Sequence, residues 1–384
     1  MGDKILLIGG AAIAAGVPRH ICQLARALEP LAEVEVISEA DQGGFATLPK
    51  GVRHHILPHL STCLAPGHLW QATKALLTVL RKSDANLVWL HARLPLLLAR
   101  LLLVMRLWRP NARVACSIHG LPFDPGHRAI IRFLSLFLER LLLTFAPTMH
   151  LVFLNDEMAE RFCDAVGHRA AGRHRVHVLE NCADLGPLPV RTTVRGRQLV
   201  MTGRRSYQKN LHRAALLLAQ MPADTHLTYC GPGTSDPDFC DEIAAIVPPE
   251  VFTRIGFVGP VRDVRPILAE ADAYLLTSRY EGVPLGLLEA FEAGLPTILS
   301  DFVDAVELAQ AQPFALSLKL ENLERDAARV TELLNRYSTD RVAARHEIRS
   351  LWSNRWSRAQ FDPAARALAW EMLGHPQITA LAAE

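Results

Sequence analysis

Two stretches of this sequence set charges beside glycine turns in a way that suits the handling of an anion. In Gly203-Arg204-Arg205-Ser206-Tyr207-Gln208-Lys209-Asn210, Arg204 and Lys209 stand five positions apart, just after the apolar run 198–202. Both side chains can face one anion, Arg as a planar fork and Lys as a point charge. As plain solvated cations at a helix start they would sit where the macrodipole disfavours positive charge. In the second stretch, 277–290, a polar loop leads through Gly282-Val283-Pro284 into a helix. Pro284 suits a first helical turn. The N–H groups of Gly282, Val283 and Leu285 form a natural anion site there, to which Pro284 itself can donate nothing. Glu281 lies on the loop and Glu289 inside the helix, so the two carboxylates can reach one crevice at different depths. On residue types alone, a capped surface helix with two solvated glutamates fits equally well.

The first half offers weaker signals. Gly9-Gly10-Ala11-Ala12-Ile13-Ala14-Ala15-Gly16 joins an apolar run to a helix. It is not G-x-G-x-x-G, so the dinucleotide fingerprint is missing, although small residues up to Gly16 still let backbone approach a ligand. His119 follows the run 113–118 and precedes Gly120; a lone histidine there reads first as a satisfied polar residue. Asn155 stands after the run 150–154, where Asp156 could cap the next helix. Asp236-Pro237-Asp238 spells a metal-binding D-x-D, but Pro237 at an early helical position makes capping the better account. His168, His174 and His177 with Cys163 and Cys182 match no zinc spacing.

These residues need elements to hold them. Short apolar runs at 4–8, 34–38, 87–91, 113–118, 150–154 and 176–179 alternate with amphipathic helical stretches, and 198–202, 226–229, 253–258, 273–276 and 297–300 repeat the pattern. Such alternation implies parallel sheets covered on both faces. Asp184–Thr193, rich in Pro and Gly and without periodicity, reads as a linker. From about Leu320 the tail is helical. We expect a first domain over 1–184, a linker over 185–197, a second domain over 198–350, and C-terminal helices over 351–384 packing back toward the first.

Composition sets the outer limits. The chain has 384 residues, 50% hydrophobic and 21% charged, which excludes disordered and fibrous classes. A net charge of +2 gives no global attraction for nucleic acid. Seven scattered cysteines without a CxxC argue against a disulfide framework and for a reducing compartment. No leader or spanning helix is expected, because charges interrupt the richest apolar stretches.

The order Ser278-Arg279-Tyr280-Glu281-Gly282, Glu289-Ala290, Ala293-Gly294-Leu295-Pro296 resembles the E-x7-E segment of the family 4 retaining glycosyltransferases. Gly203 to Asn210 resembles that family's diphosphate-binding loop. Phe257-Val258-Gly259-Pro260-Val261 resembles the nucleobase-side loop, and Val178–Asp184 the close of the first domain. The resemblance implies an α/β GT-B fold: two Rossmann-like, doubly wound domains facing a central crevice. It implies that Arg204 and Lys209 hold the diphosphate, that Glu281 holds donor-sugar hydroxyls and that Glu289 holds the ribose. Gly282, Val283, Pro284 and Leu285 would lie along the diphosphate, Gly16 on the first-domain side, and His119 would hydrogen-bond the reacting sugar without attacking it.

The expected activity is therefore sugar transfer from a nucleotide-sugar, UDP before GDP, to a lipid-linked or oligosaccharide acceptor with retention, in cell-envelope polysaccharide or glycolipid synthesis. No cofactor and no divalent metal are expected. Competing readings are a nucleotide-sugar epimerase of the same fold and a non-catalytic membrane scaffold. Residues 91–149 carry eight arginines against Asp124 and Glu139, alongside two Leu/Phe-rich helices. Basic apolar helices can lie on an anionic bilayer; equally, they can be buried helices with snorkelling Arg stems. The expected location is cytoplasmic, with peripheral contact at the inner leaflet.

Overall fold

The computed structural model describes residues 2–13, 15–61, 65–191 and 196–376. Residues 192–195 of the expected linker, residues 377–384 of the expected C-terminal helices, and Ala14 of the glycine loop lie outside the described residues. The chain forms two compact units: Met1–Phe123, Ala129–Asn181 and Ala359–Glu384 make the first, and Asp124–Arg128 with Cys182–Arg358 the second.

In the first unit, β1 (Lys4–Ile8), α1 (Gly16–Leu28), β2 (Glu33–Ser38), β3 (Arg53–Ile56), α2 (Pro66–Lys82), β4 (Leu87–Leu90) and α3 (Arg93–Val104) come first. They are followed by β5 (Arg113–Ile118), α4 (Ala129–Phe145), β6 (His150–Phe153), α5 (Asp156–Val166), α6 (His168–Ala171) and β7 (Arg175–Val178). All strands run parallel in the order β3-β2-β1-β4-β5-β6-β7. The chain winds outward from β1, then returns to add β4 on its other side, which makes β1/β4 a switch point. The central strands Leu87–Leu90 and His150–Phe153 are buried at every position, as a sheet covered on both faces requires.

The second unit holds β8 (Arg197–Thr202), α7 (Leu211–Leu218), β9 (Thr225–Cys230), α8 (Pro237–Ala244), α9 (Pro249–Phe252), β10 (Ile255–Gly259) and α10 (Arg265–Glu270). Then come β11 (Ala273–Leu276), α11 (Leu285–Glu292), β12 (Thr297–Ser300), α12 (Ala305–Gln310), β13 (Ala315–Leu318), α13 (Leu323–Thr339) and α14 (Arg341–Arg355). Its parallel order β10-β9-β8-β11-β12-β13 has the same outward-and-back winding, with the switch at β8/β11. The last helix, α15 (Arg358–Leu373), packs in the first unit, where Arg366 Nε donates to Ala27 O at 2.8 Å.

The strands absent from the sequence reading, β3 and β13, are sheet edges. β3 is Arg-His-His-Ile and mostly exposed, so no apolar run marks it. The helix-start expectations also need correction. Asn155, not Asp156, caps α5, accepting from Met158 N at 2.7 Å. Asp236 does stand at the N-cap of α8 but makes no cap hydrogen bond, and Asp238 is held by Arg205 at 2.8 Å.

The charges that interrupt the two apolar stretches find each other. Arg100, 2% exposed on α3, makes a two-pronged bond to Glu139 on α4, at 2.5 and 2.8 Å. A guanidinium this deeply buried needs its carboxylate, because an unpaired buried charge costs about 3–5 kcal/mol. Glu139→Ala should therefore lower unfolding stability by about that much, read from urea denaturation. Replacing both partners with Met and Leu should restore most of the loss.

Candidate active site

Both sheets end in loops at their switch points, the place where open α/β sheets bind ligands. In the second unit, the chain leaves β8 through Gly203, whose φ of 148° an L side chain rarely adopts. A Cβ there would stand 2.9 Å from Lys209 Cε, so glycine lets the lysine stem lie across the strand end. Gly203 N and Arg205 N donate to Cys230 O and Pro232 O, both at 2.8 Å, which lashes this loop to the one after β9.

Lys209 meets Glu281 across the β8/β11 switch point, with Nζ 2.6 Å from Oε1. Ser278 Oγ donates to the same carboxylate at 2.6 Å, and Gln208 Nε2 to its other oxygen at 3.0 Å. Arg279 N donates to Gln208 O at 2.8 Å and Thr277 Oγ1 to Asn210 O at 3.0 Å, so backbone and side chain together lock the two loops. His127 stacks on Tyr280 beside Glu281, with ring centroids 3.6 Å apart. Sequence reasoning missed Gln208, Ser278 and His127. The spacing of Ser278 three residues before Glu281 was the one available signal, because a tight turn brings such positions together.

Pro284 is the N-cap of α11, one residue earlier than the sequence suggested, and the helix opens at Leu285. Its first N–H groups have no partner within the helix. Gly286 lets α11 press onto the strand ends: a Cβ would stand 2.4 Å from Tyr274 Oη and 2.5 Å from Thr202 Oγ1. Glu289 is inside the helix, 3% exposed and engaged by neighbouring groups. Neither glutamate is a solvated surface residue. Arg204 is exposed and pairs with no carboxylate among the described residues. Glu292, which the sequence reading passed over, accepts Leu185 N at 2.8 Å and Gly186 N at 3.0 Å. Burial raises its pKa against those two bonds.

Gly16 and His119 belong to the first unit. Gly16 opens α1, whose N-cap Ala15 offers no side chain to the first N–H groups. His119 follows β5 and joins two histidines that the sequence did not bring together, His20 on α1 and His91 just after β4. One nitrogen of each lies within 4.8 Å of the others. Burial holds all three neutral: His20 is pushed down to about 4, and His91 and His119 well below the usual range. No nitrogen of His91, nor Nε2 of His119, has a partner among the described residues. Neutral imidazoles offer one N–H donor and one acceptor each, which suits sugar hydroxyls. They are also the group, among the described residues, that could hold a metal ion.

Two parallel, doubly wound sheets with polar, glycine-built loops at their switch points define a two-unit α/β protein. Comparison with known proteins gives its class. Residues 14–187 match Glycosyltransferase Family 4, and residues 196–336 match Glycosyl transferases group 1. The chain belongs to the family 4 glycosyltransferases and has the GT-B fold. It is 30% identical over 156 residues to the glycogen synthase of Mycobacterium tuberculosis, covering 38% of this chain and 35% of that protein. It thus spans about a third of that relative's length. Among solved structures, HepE of Anabaena, in complex with UDP and glucose, superposes with a TM-score of 0.74 at 16% identity. That match covers 97% of this chain and 99% of HepE. Sucrose-phosphate synthase of Thermosynechococcus elongatus gives 0.76 at 15% identity, over 97% and 99%. WaaG, a glycosyltransferase of lipopolysaccharide biosynthesis, gives 0.68 at 16% identity, over 94% and 98%.

The histidine cluster makes stability depend on pH. An unfolded histidine takes up a proton near 6.5, whereas folded His20 does so only near 4. The unfolded chain therefore binds more protons in that window, and folding stability falls as pH drops from about 6.5 toward 4. Urea midpoints should fall between pH 7 and pH 5, and by less in His20→Gln.

Proposed function

We propose that this glycosyltransferase moves a sugar from a UDP-sugar, with retention, to a lipid-linked or saccharide acceptor in cell-envelope glycan synthesis. The observation that carries the donor half is the Lys209–Glu281 pair with its Gln208 and Ser278 supports. It sets an ammonium for phosphate beside a carboxylate for hydroxyls, at a switch point. That HepE was solved with UDP, and with UDP-glucose, supports uridine as the base. We assign residues 1–184 to the acceptor side, 185–197 to the linker, 198–350 to the donor side and 351–384 to the returning helices.

In the reaction, the bond from the anomeric carbon to the diphosphate oxygen breaks, and an acceptor oxygen bonds that carbon on the same face. The acceptor proton passes to the departing diphosphate. Arg204 and Lys209 stabilise the charge that grows there, assisted by the N–H groups of Gly282, Val283 and Leu285 with Pro284 shaping the turn. Glu281 orients the sugar, Glu289 holds the ribose, His119 hydrogen-bonds the sugar, and Gly16 leaves room on the acceptor side. No divalent metal takes part.

A thermal-shift panel of UDP, GDP, ADP and their sugars in EDTA tests this reading. UDP and its sugars should stabilise the chain by about 2.7 kcal/mol near one hundred times the dissociation constant. Glu289→Ala should weaken UDP about ten- to hundred-fold, as the loss of a charge-assisted bond worth about 1.5–3 kcal/mol. Unchanged UDP affinity in that variant would refute the ribose role, and stabilisation abolished by EDTA would refute metal independence.

The lipid side of the reading rests on α4. Among the described residues no helix is long and apolar enough to cross a membrane. Yet α4 buries Leu142 and Leu143 while leaving Ile130, Phe133, Leu134, Phe137, Leu141 and Phe145 exposed, with Phe133 at 68%. Their three- and four-residue spacing is one helical stripe. Residues 91–149, which contain α4, carry eight arginines, and basic apolar helices of this kind fit an anionic bilayer surface. Phe133→Ser with Phe137→Ser should reduce co-sedimentation with phosphatidylglycerol vesicles several-fold. Wild-type binding equal on anionic and neutral vesicles would remove the membrane contact.

A further inference from the structure

At the opposite end of the first sheet from His119 lies a cavity. Arg113, His150 and Arg175 are the first residues of β5, β6 and β7, so they mark the amino-terminal edge of the sheet. With Arg106, Arg109 and Arg173 they line a space of about 830 Å³. Among the described residues, no acidic residue lines it. None of the five guanidiniums pairs with a carboxylate among the described residues; the neighbouring acid, Glu371, faces His177 at 3.8 Å instead. Elsewhere on this chain, arginines such as Arg100, Arg191 and Arg205 are paired with carboxylates. All five arginines are solvent-exposed around the rim of the cavity, and their like charges favour a bound anion there.

Two further features fit a ligand. Arg106 takes a left-handed backbone, φ 57°, at the close of α3. Glycine usually fills such a helix-end position, and a side chain there costs about 1 kcal/mol. His150 is pushed down to about 4, chiefly by burial, with the charges of His177, Arg175 and Arg113 adding to the effect. The wall is not uniformly polar. Trp108 and Phe145 also line the cavity, and Phe145 closes the exposed stripe of α4.

We propose that this cavity binds a phosphorylated, amphiphilic group: a diphosphate or phosphomonoester gripped by the arginines, with an apolar portion against Trp108 and Phe145. The guanidinium fork matches phosphate oxygens in pairs. The site is separate from the donor loops of the second unit, and it stands whether or not α4 enters a bilayer.

Calorimetry of the full chain with inorganic pyrophosphate tests it, using Arg109→Gln/Arg175→Gln and, as an independent pair, Arg106→Gln/Arg173→Gln. A Lys209→Ala variant identifies any binding that belongs to the donor loops. Both arginine pairs should weaken a pyrophosphate-binding step at least tenfold, while UDP affinity and the melting temperature stay as in the wild type and Lys209→Ala keeps that step. In a parallel arm, vesicles containing phosphatidic acid replace pyrophosphate. Loss confined to the vesicle arm would assign the site to a lipid headgroup, and loss confined to pyrophosphate to a soluble phosphate. If neither pair differs from the wild type in either arm, the proposal is overturned.

Discussion

An ammonium and a carboxylate 2.6 Å apart, contributed by residues 72 positions apart in the chain, can be held only where two strands lie side by side and their loops diverge. β8 and β11 provide that place. The doubly wound order adds β9 and β10 on one side of β8, then returns to lay β11 on the other, so the loops bearing Lys209 and Glu281 leave adjacent strands in opposite senses. The rest of the second unit serves this arrangement. Gly203 clears a path for the lysine stem, Gly286 lets α11 sit close to the strand ends, and Arg279 N and Thr277 Oγ1 tie one loop to the other.

The first unit has the same winding, with histidines gathered at the carboxyl ends of its strands. His20, His91 and His119 gather there as neutral rings, because burial costs a charge more than it costs an imidazole. Its buried charges are placed away from that edge, in the Arg100–Glu139 clasp between α3 and α4. α4 also carries an exposed apolar stripe. The two edges of this sheet thus differ chemically: neutral hydrogen-bonding rings at the carboxyl ends of the strands, unpaired guanidiniums at the amino ends.

How much of this could be read beforehand differs by element. The central strands and most helices were legible because burial on both faces demands continuous apolar runs, as in Leu87–Leu90 and Ala273–Leu276. The edges β3 and β13 were not, since an edge strand needs no apolar run. The caps showed the same limit: Asn155 and Asp156 are both good cap residues, and only the backbone turn decides which one bonds Met158 N.

The sequence by itself determined the alternation of strand and helix, the glycine turns, and the residue types around Arg204, Lys209, Glu281 and Glu289, because those are set by local sterics and by short spacing along the chain. Only the tertiary structure decided which charges meet. It paired Lys209 with Glu281, matched Arg100 to Glu139, brought three histidines from separate elements into one cluster, and left five arginines facing a single cavity. The reason is physical: electrostatic and hydrogen-bond partners are chosen by distances of a few ångströms. For residues tens of positions apart, the strand order of a sheet sets those distances, and no local spacing encodes them.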